Sequence, residues 1–126
     1  MYFAGRELKP YAEPISADDL RQGEVYFSLN YVDEKLLIPL LEPLVYVGSN
    51  LESEDIDQAY FQDVDSYRQG VTYSSRTKDD TAIFYHGPEN GMKHIFKYEA
   101  ALDQLMRCSL RRRNAQSDAE NSSFSN

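Results

Sequence analysis

Between Gly23 and Gly48 the chain first alternates and then turns apolar throughout. Val25, Phe27, Leu29 and Tyr31 alternate with Glu24, Tyr26, Ser28 and Asn30, and Leu36-Leu37-Ile38-Pro39-Leu40-Leu41-Glu42-Pro43-Leu44-Val45-Tyr46-Val47 follows. Successive side chains of a strand point to opposite faces, so the first run predicts a strand over residues 24–32 with one face buried and the Tyr26 face wet. The second run suits a strand covered on both faces. Asp33-Glu34-Lys35 is a polar connection, and an antiparallel hairpin is the simplest way to join the two. Pro39 and Pro43 each remove a ladder donor, which predicts a bent or marginal stretch over 36–42 and a regular strand over 44–47. Prolines there also guard a sheet margin against pairing with another chain.

A chain of 126 residues suits one domain, and folding at this size buries roughly two thirds of the unfolded surface. The 41% hydrophobic share, with 10 Tyr and 6 Phe, supplies a core, and a single Cys excludes an internal disulfide framework. A reducing, cytoplasmic setting is expected. The first residues lack the basic start and long apolar run of a secretory signal, and the apolar runs are too short or too Pro-broken for a membrane span. A net charge of -8 argues against nucleic-acid binding, because neutralising phosphates needs a cationic surface. The acids are clustered: Glu52, Glu54, Asp55, Asp57, Asp63 and Asp65 occur with no Lys or Arg among them, whereas Lys93, Lys97, Arg107, Arg111, Arg112 and Arg113 come later. The two blocks either face each other or leave the acids pointing at a partner.

Residues 1–22 read as a peripheral arm, since Pro10 and Pro14 disfavour a long helix and Ser16 can cap a short turn over 17–20. Short strands are expected at 59–62, 71–74 and 81–86, the last two as a second hairpin. Gly87-Pro88-Glu89-Asn90-Gly91 is a turn. Tyr98, Ala101, Leu102, Leu105, Met106, Ser109 and Leu110 share one helical stripe, which predicts a helix over 98–111 laid on the sheet with Cys108 on its flank. Arg112 and Arg113 return to that apolar side, so there the helix leaves the body or meets an acidic partner. Residues 114–126, rich in Ser, Asn, Asp and Glu, are expected to be disordered.

Catalytic motifs are missing from the sequence. His86 and His94 flank a turn without enough further ligands at metal-site spacing, Asp63-Val64-Asp65 breaks the pattern of a calcium loop, and no nucleophile elbow or phosphate-cradling glycine loop occurs. Cys108 sits late in its helix, where the dipole opposes thiolate formation. No catalytic residue, cofactor or metal ligand is therefore assigned. The stronger signal is aromatic: Tyr60, Phe61 and Tyr67 adjoin the acids, and rings with polar tips suit interfaces.

The expected fold is α+β, a curled antiparallel sheet of about five strands, with a partly open barrel as the variant, packed against a C-terminal helix. The domain spans 1–113. The leading function is a non-enzymatic interaction module that binds a basic protein through Glu54, Asp55, Asp57, Tyr60, Asp63, Asp65 and Tyr67. Small bacterial immunity proteins are similar in size and charge, though no motif carries that likeness. One alternative is a small enzyme or ligand-binding domain using His86 or His94 with Tyr85 and a nearby carboxylate. The other is a structural subunit that self-associates through its sheet.

Overall fold

In the computed structural model, which describes residues 13–124 and side chains through 117, β1 (Val25–Tyr31) and β2 (Pro39–Ser49) form the expected hairpin. Val25 stands opposite Val45 and Leu29 opposite Leu41. Asp33 shapes the connection: its carboxylate accepts the Leu37 and Ile38 N–H groups, each at 2.9 Å. Leu36 sits there at φ 60°, a left-handed conformation disfavoured for a bulky residue. Helix-borne groups fix it from outside, as described below.

β3 (Gln58–Asp63) pairs with β2 only from Leu44 onward, with Asp63 as the partner of Leu44. This refines the expectation for the prolines. β2 is continuous from Pro39 and lies inside the sheet, yet Pro39 and Pro43 fall in the half that has β1 on one side and no strand on the other. A missing N–H costs no ladder bond on a side without a neighbour. A bulge between Tyr46 and Gly48 then shifts the register, and Gly48 adopts φ 131°, where a side chain would be strained.

β4 (Phe84–Pro88) pairs with β3, and β5 (Ile95–Phe96) pairs with β1, giving the order β4-β3-β2-β1-β5. A 3₁₀ turn at Glu89–Gly91 and residues 92–94 carry the chain across one face from the first edge to the last. The sheet is curled but open. The hairpin expected from 71–74 and 81–86 does not form. Val71 instead donates its N–H to the Ser66 carbonyl and accepts from the Gln62 amide, so both its main-chain groups are satisfied off the sheet.

Both faces of the sheet are used, contrary to the expected wet Tyr26 face. On the inner face Tyr26, Leu44, Tyr46, Ala59, Phe61 and Ile95 pack with Met92 from the crossing segment and Ile15 from the N-terminal stretch. The Ile15 N–H donates to the Ile95 carbonyl at 2.8 Å, so the described part of the N-terminal arm belongs to the core. Residues 1–12 lie outside the described residues. Ala17–Asp19 does form a 3₁₀ turn, but the Ser16 hydroxyl makes no capping bond. Burying each large apolar side chain of this cluster contributes about 1.5–3 kcal/mol.

On the outer face α2 (Tyr98–Phe124) covers one half and the excursion through α1 (Val64–Arg68) covers the other. Leu29, Phe96 and Ala101 form the contact, with Phe27, Tyr31 and Leu105 around them. The first strand therefore lies under the helix, as the alternation predicts. The helix is rotated from the expected stripe: Ala101 and Cys108 are buried, whereas Tyr98, Leu102, Met106 and Leu110 are exposed. Small side chains let the helix approach the strand closely, and the wider residues of the stripe turn outward. α2 also extends through Phe124 where composition predicts disorder, because lengthening an anchored helix costs far less than nucleating one.

Candidate functional site

The acidic segment divides into residues that build the fold and residues that face solvent. Tyr60 is only 1% exposed; its ring packs between Tyr73 at 5.1 Å and the His86 imidazole at 5.1 Å. Its hydroxyl donates to the Asp55 carboxylate at 2.5 Å, and the same carboxylate accepts the Glu52 N–H at 3.0 Å. The Tyr60 hydroxyl, with help from the Glu52 amide, holds the Asp55 carboxyl below its ordinary range, while that carboxylate raises the Tyr60 phenol.

Asp63 caps α1. It accepts the Ser66 N–H at 3.0 Å, the Ser66 hydroxyl at 2.6 Å and the Ile83 N–H at 2.8 Å. Partial burial pushes its carboxyl up, and these donors outweigh that effect, so it titrates below the usual range. Gln62 is buried beside it, donating to Ser66 Oγ at 2.8 Å and to the Val71 carbonyl at 2.9 Å. Of the remaining candidates, Glu54, Asp57 and Asp65 are exposed, and Tyr67 is exposed over one flank with its hydroxyl close to Gly23.

The loop between β2 and β3 is irregular but closely braced. Asn50 N–H donates to the Gln58 carbonyl at 2.8 Å, and the Asn50 side chain accepts the Gln58 N–H at 2.9 Å. Glu89 N–H donates to the Asp57 carbonyl at 2.8 Å. Asn50 and Asp57 occupy left-handed conformations at φ 53° and 50°, which Asn and Asp tolerate best among residues with a side chain. From this frame Ile56 projects with 79% of its surface exposed, between Asp55 and Asp57. It was not among the candidates read from the sequence. Its signal was available there: one aliphatic residue inside a run of acids.

The two charge blocks do not pair with each other at the contacts observed. Glu52 is approached by Arg76 at 3.8 Å and accepts the Tyr73 hydroxyl. Arg76 lies 3.6 Å over the Tyr73 ring and donates to the Tyr73 carbonyl. On α2, Arg111 donates to the Leu36 carbonyl and to the Tyr31 hydroxyl, each at 2.9 Å, and Arg112 donates to the Leu37 carbonyl at 3.2 Å. Cys108 Sγ stands 3.6 Å from both carbonyls. These groups hold the strained loop at Leu36, which is where the C-terminal arginines go.

A groove of about 230 Å³ opens on the inner face, with Leu44, Phe61, Met92 and Ile95 along its apolar part. Ser28, Asn30, Glu42, Tyr85 and His94 supply its polar part. Tyr85 donates to Glu42 at 3.2 Å, and Asn30 donates to the Ser28 hydroxyl at 3.3 Å. Desolvation and then the Glu42 charge raise the Tyr85 phenol above its ordinary value. The two histidines meet the groove differently, His94 as part of its polar lining and His86 only at its margin. His86 touches the groove, but its ring lies with Tyr60 on the outer face and Nδ1 sits 3.2 Å from Gln58 Oε1. The register could have shown the rest, since alternation places Ser28, Asn30 and Glu42 on one side of the hairpin.

Among the described residues no group of three or more His, Cys, Asp or Glu is placed to hold a metal ion, and no helix is long and apolar enough to cross a membrane. No family model, curated protein or solved structure shows significant similarity to the chain.

Proposed function

We propose that this protein is a non-enzymatic interaction module whose β2–β3 loop binds a basic protein partner. The carrying observation is Ile56, held 79% exposed on a loop whose backbone is pinned at Asn50, Asp55, Asp57 and Gln58. An isolated exposed aliphatic residue is ordinary on a protein surface. One that is presented by a preorganised loop avoids most of the ordering entropy that binding otherwise costs. Glu54 and Asp57 beside it supply the field that steers and orients a cationic partner, and Asp65 and Tyr67 extend the acidic, aromatic margin. Asp55, Tyr60 and Asp63 serve this surface as its supports. A cytoplasmic setting suits the single, buried thiol of Cys108.

The test is affinity capture from the source cell with the wild-type chain, Ile56→Ser, and Glu54→Gln combined with Asp57→Asn. Retention of a basic protein that is lost with both variants and weakened by added salt supports the reading. Identical capture profiles for all three sink it. The groove supports a second reading, a small-ligand site, because Glu42, Tyr85, Asn30, Ser28 and His94 meet over an apolar floor. Line broadening of the Tyr85 and His94 resonances by a ligand library, lost in Glu42→Gln, would favour it over the first.

A further inference from the structure

We propose that the inner-face groove binds a small organic cation, an ammonium or guanidinium head carried on an apolar body. The inference rests on the small-ligand reading of that groove and adds the charge and shape of the ligand. Glu42 carries it. This residue is half-buried on β2, directly across the hairpin from Ser28, and no Lys or Arg lines the groove with it. No Lys or Arg among the described residues forms an ion pair with Glu42. What it receives is one neutral donor, the Tyr85 hydroxyl, shared between its two oxygens at 3.2 and 3.4 Å. A carboxylate offers about four lone-pair directions, so most of its acceptor capacity and its full charge remain open to an incoming group.

The neighbouring groups suit the same head. Asn30 gives its amide N–H to the Ser28 hydroxyl at 3.3 Å, which leaves its carbonyl oxygen as a further acceptor. Phe61 and Tyr85 stand opposite each other on β3 and β4, and the faces of such rings attract ammonium and guanidinium groups. Leu44, Met92 and Ile95 are buried beneath and supply an apolar floor for the rest of the ligand. An anion would meet Glu42 as a like charge, and a neutral molecule would cover the carboxylate without pairing it. A volume of about 230 Å³ lies below the ~300 Å³ at which ligand pockets usually begin, so the body is a single ring or a short alkyl chain.

Methyl NMR of the full chain labelled at methionine tests the assignment at pH 8, where an alkylamine is charged and an ordinary imidazole is not. Met92 lines the groove and Met106 stands exposed on α2, so one spectrum holds the reporter and its control. Phenethylammonium and butylammonium are titrated beside the matching alcohols, phenylethanol and butanol, and the matching acids, phenylpropionate and pentanoate. The amines are expected to move the Met92 methyl saturably and to bind roughly tenfold or more tighter than the alcohols and acids. Glu42→Gln keeps the size of the side chain and an acceptor for Tyr85 but removes the charge. It should weaken the amines by roughly tenfold or more and leave the alcohols within about twofold. An unchanged Met106 signal shows that the variant is folded; should it not fold, the ratio of amine to alcohol binding in the wild type decides. Alcohols or acids that bind as tightly as the amines, or amines indifferent to Glu42→Gln, overturn the cation and leave the small-ligand reading standing. A Met92 methyl that answers none of the probes overturns both.

Discussion

The β2–β3 loop and α2 both hold apolar residues in solvent, and they do so by opposite means. The loop has no regular structure, yet side chains and neighbouring strands fix it: Asn50 and Gln58 clasp its base, Asp55 and Tyr60 hold its middle, and Glu89 reaches Asp57 from the crossing segment. α2 is wholly regular, and it meets the body along one side, through Ala101, Leu105 and Cys108, the Tyr98 ring against Phe27, and Arg111 and Arg112 at the Leu36 loop. Order at a surface therefore does not follow secondary structure. It follows which groups outside the segment are bound to it, so the loop is the more constrained presenter and the helix the larger one.

The strongest way to break the comparison is to remove the brace. Tyr60→Ala should cost about 3–5 kcal/mol, because it empties a buried aromatic site under the loop as well as removing the Asp55 donor. Urea unfolding measures this, and a loss below 1 kcal/mol would mean that the loop stands without Tyr60. Next in size is the inward face of α2, where Ala101→Leu should destabilise by about 1–3 kcal/mol through overpacking against Leu29 and Phe96. The same change in volume on the outward side, Leu102→Ala, should stay within about 0.5 kcal/mol in dilute protein. Equal costs on the two sides would show that the helix is seated differently.

Asp63→Ala should cost about 1–2 kcal/mol through loss of the α1 cap. Its pH dependence has a definite sign. The folded carboxyl is depressed, so its contribution is fully present above the unfolded value near 4 and fades as pH falls through the lower folded value. The wild type should accordingly lose its advantage over Asp63→Asn only below about pH 4, in paired acid titrations followed by circular dichroism. An advantage that fades already near neutrality would assign it to another group. The smallest expected effect is Ile56→Ser, within about 0.5 kcal/mol of wild-type stability. Hydrogen exchange sharpens the contrast further: the amides of Asn50, Glu52, Asp55 and Gln58 should be protected despite lying in a loop.

Much of the sheet was legible because alternation and hairpin connection are local. Val25 to Tyr31 showed their period directly, and the polar Asp33-Glu34-Lys35 placed the first turn. β5 was not legible, since Ile95 and Phe96 pair with β1 across some seventy residues and carry too little pattern to announce it. The false hairpin at 71–74 shows the reverse: β-forming residues such as Val71 and Tyr73 were drawn instead to Gln62, Tyr60 and Phe84. Within the acidic segment, charge was visible and burial was not. Tyr60 and Asp63 looked like surface groups because nothing local marks the donors and rings that enclose them.

By itself the sequence determined the α+β class, the leading hairpin, the presence of a C-terminal helix beginning near Tyr98 and the uneven charge, all of which follow from periodicity and composition over short spans. Tertiary structure alone decided which side of the helix meets the sheet, which acids became supports, and where Ile56 and the groove stand. The reason is physical: periodicity fixes which residues share a face, but the choice between two comparable apolar faces depends on how closely each can approach its neighbour. At α2 the small residues Ala101 and Cys108 allowed the closer fit, and Tyr98, Leu102, Met106 and Leu110 were left outside.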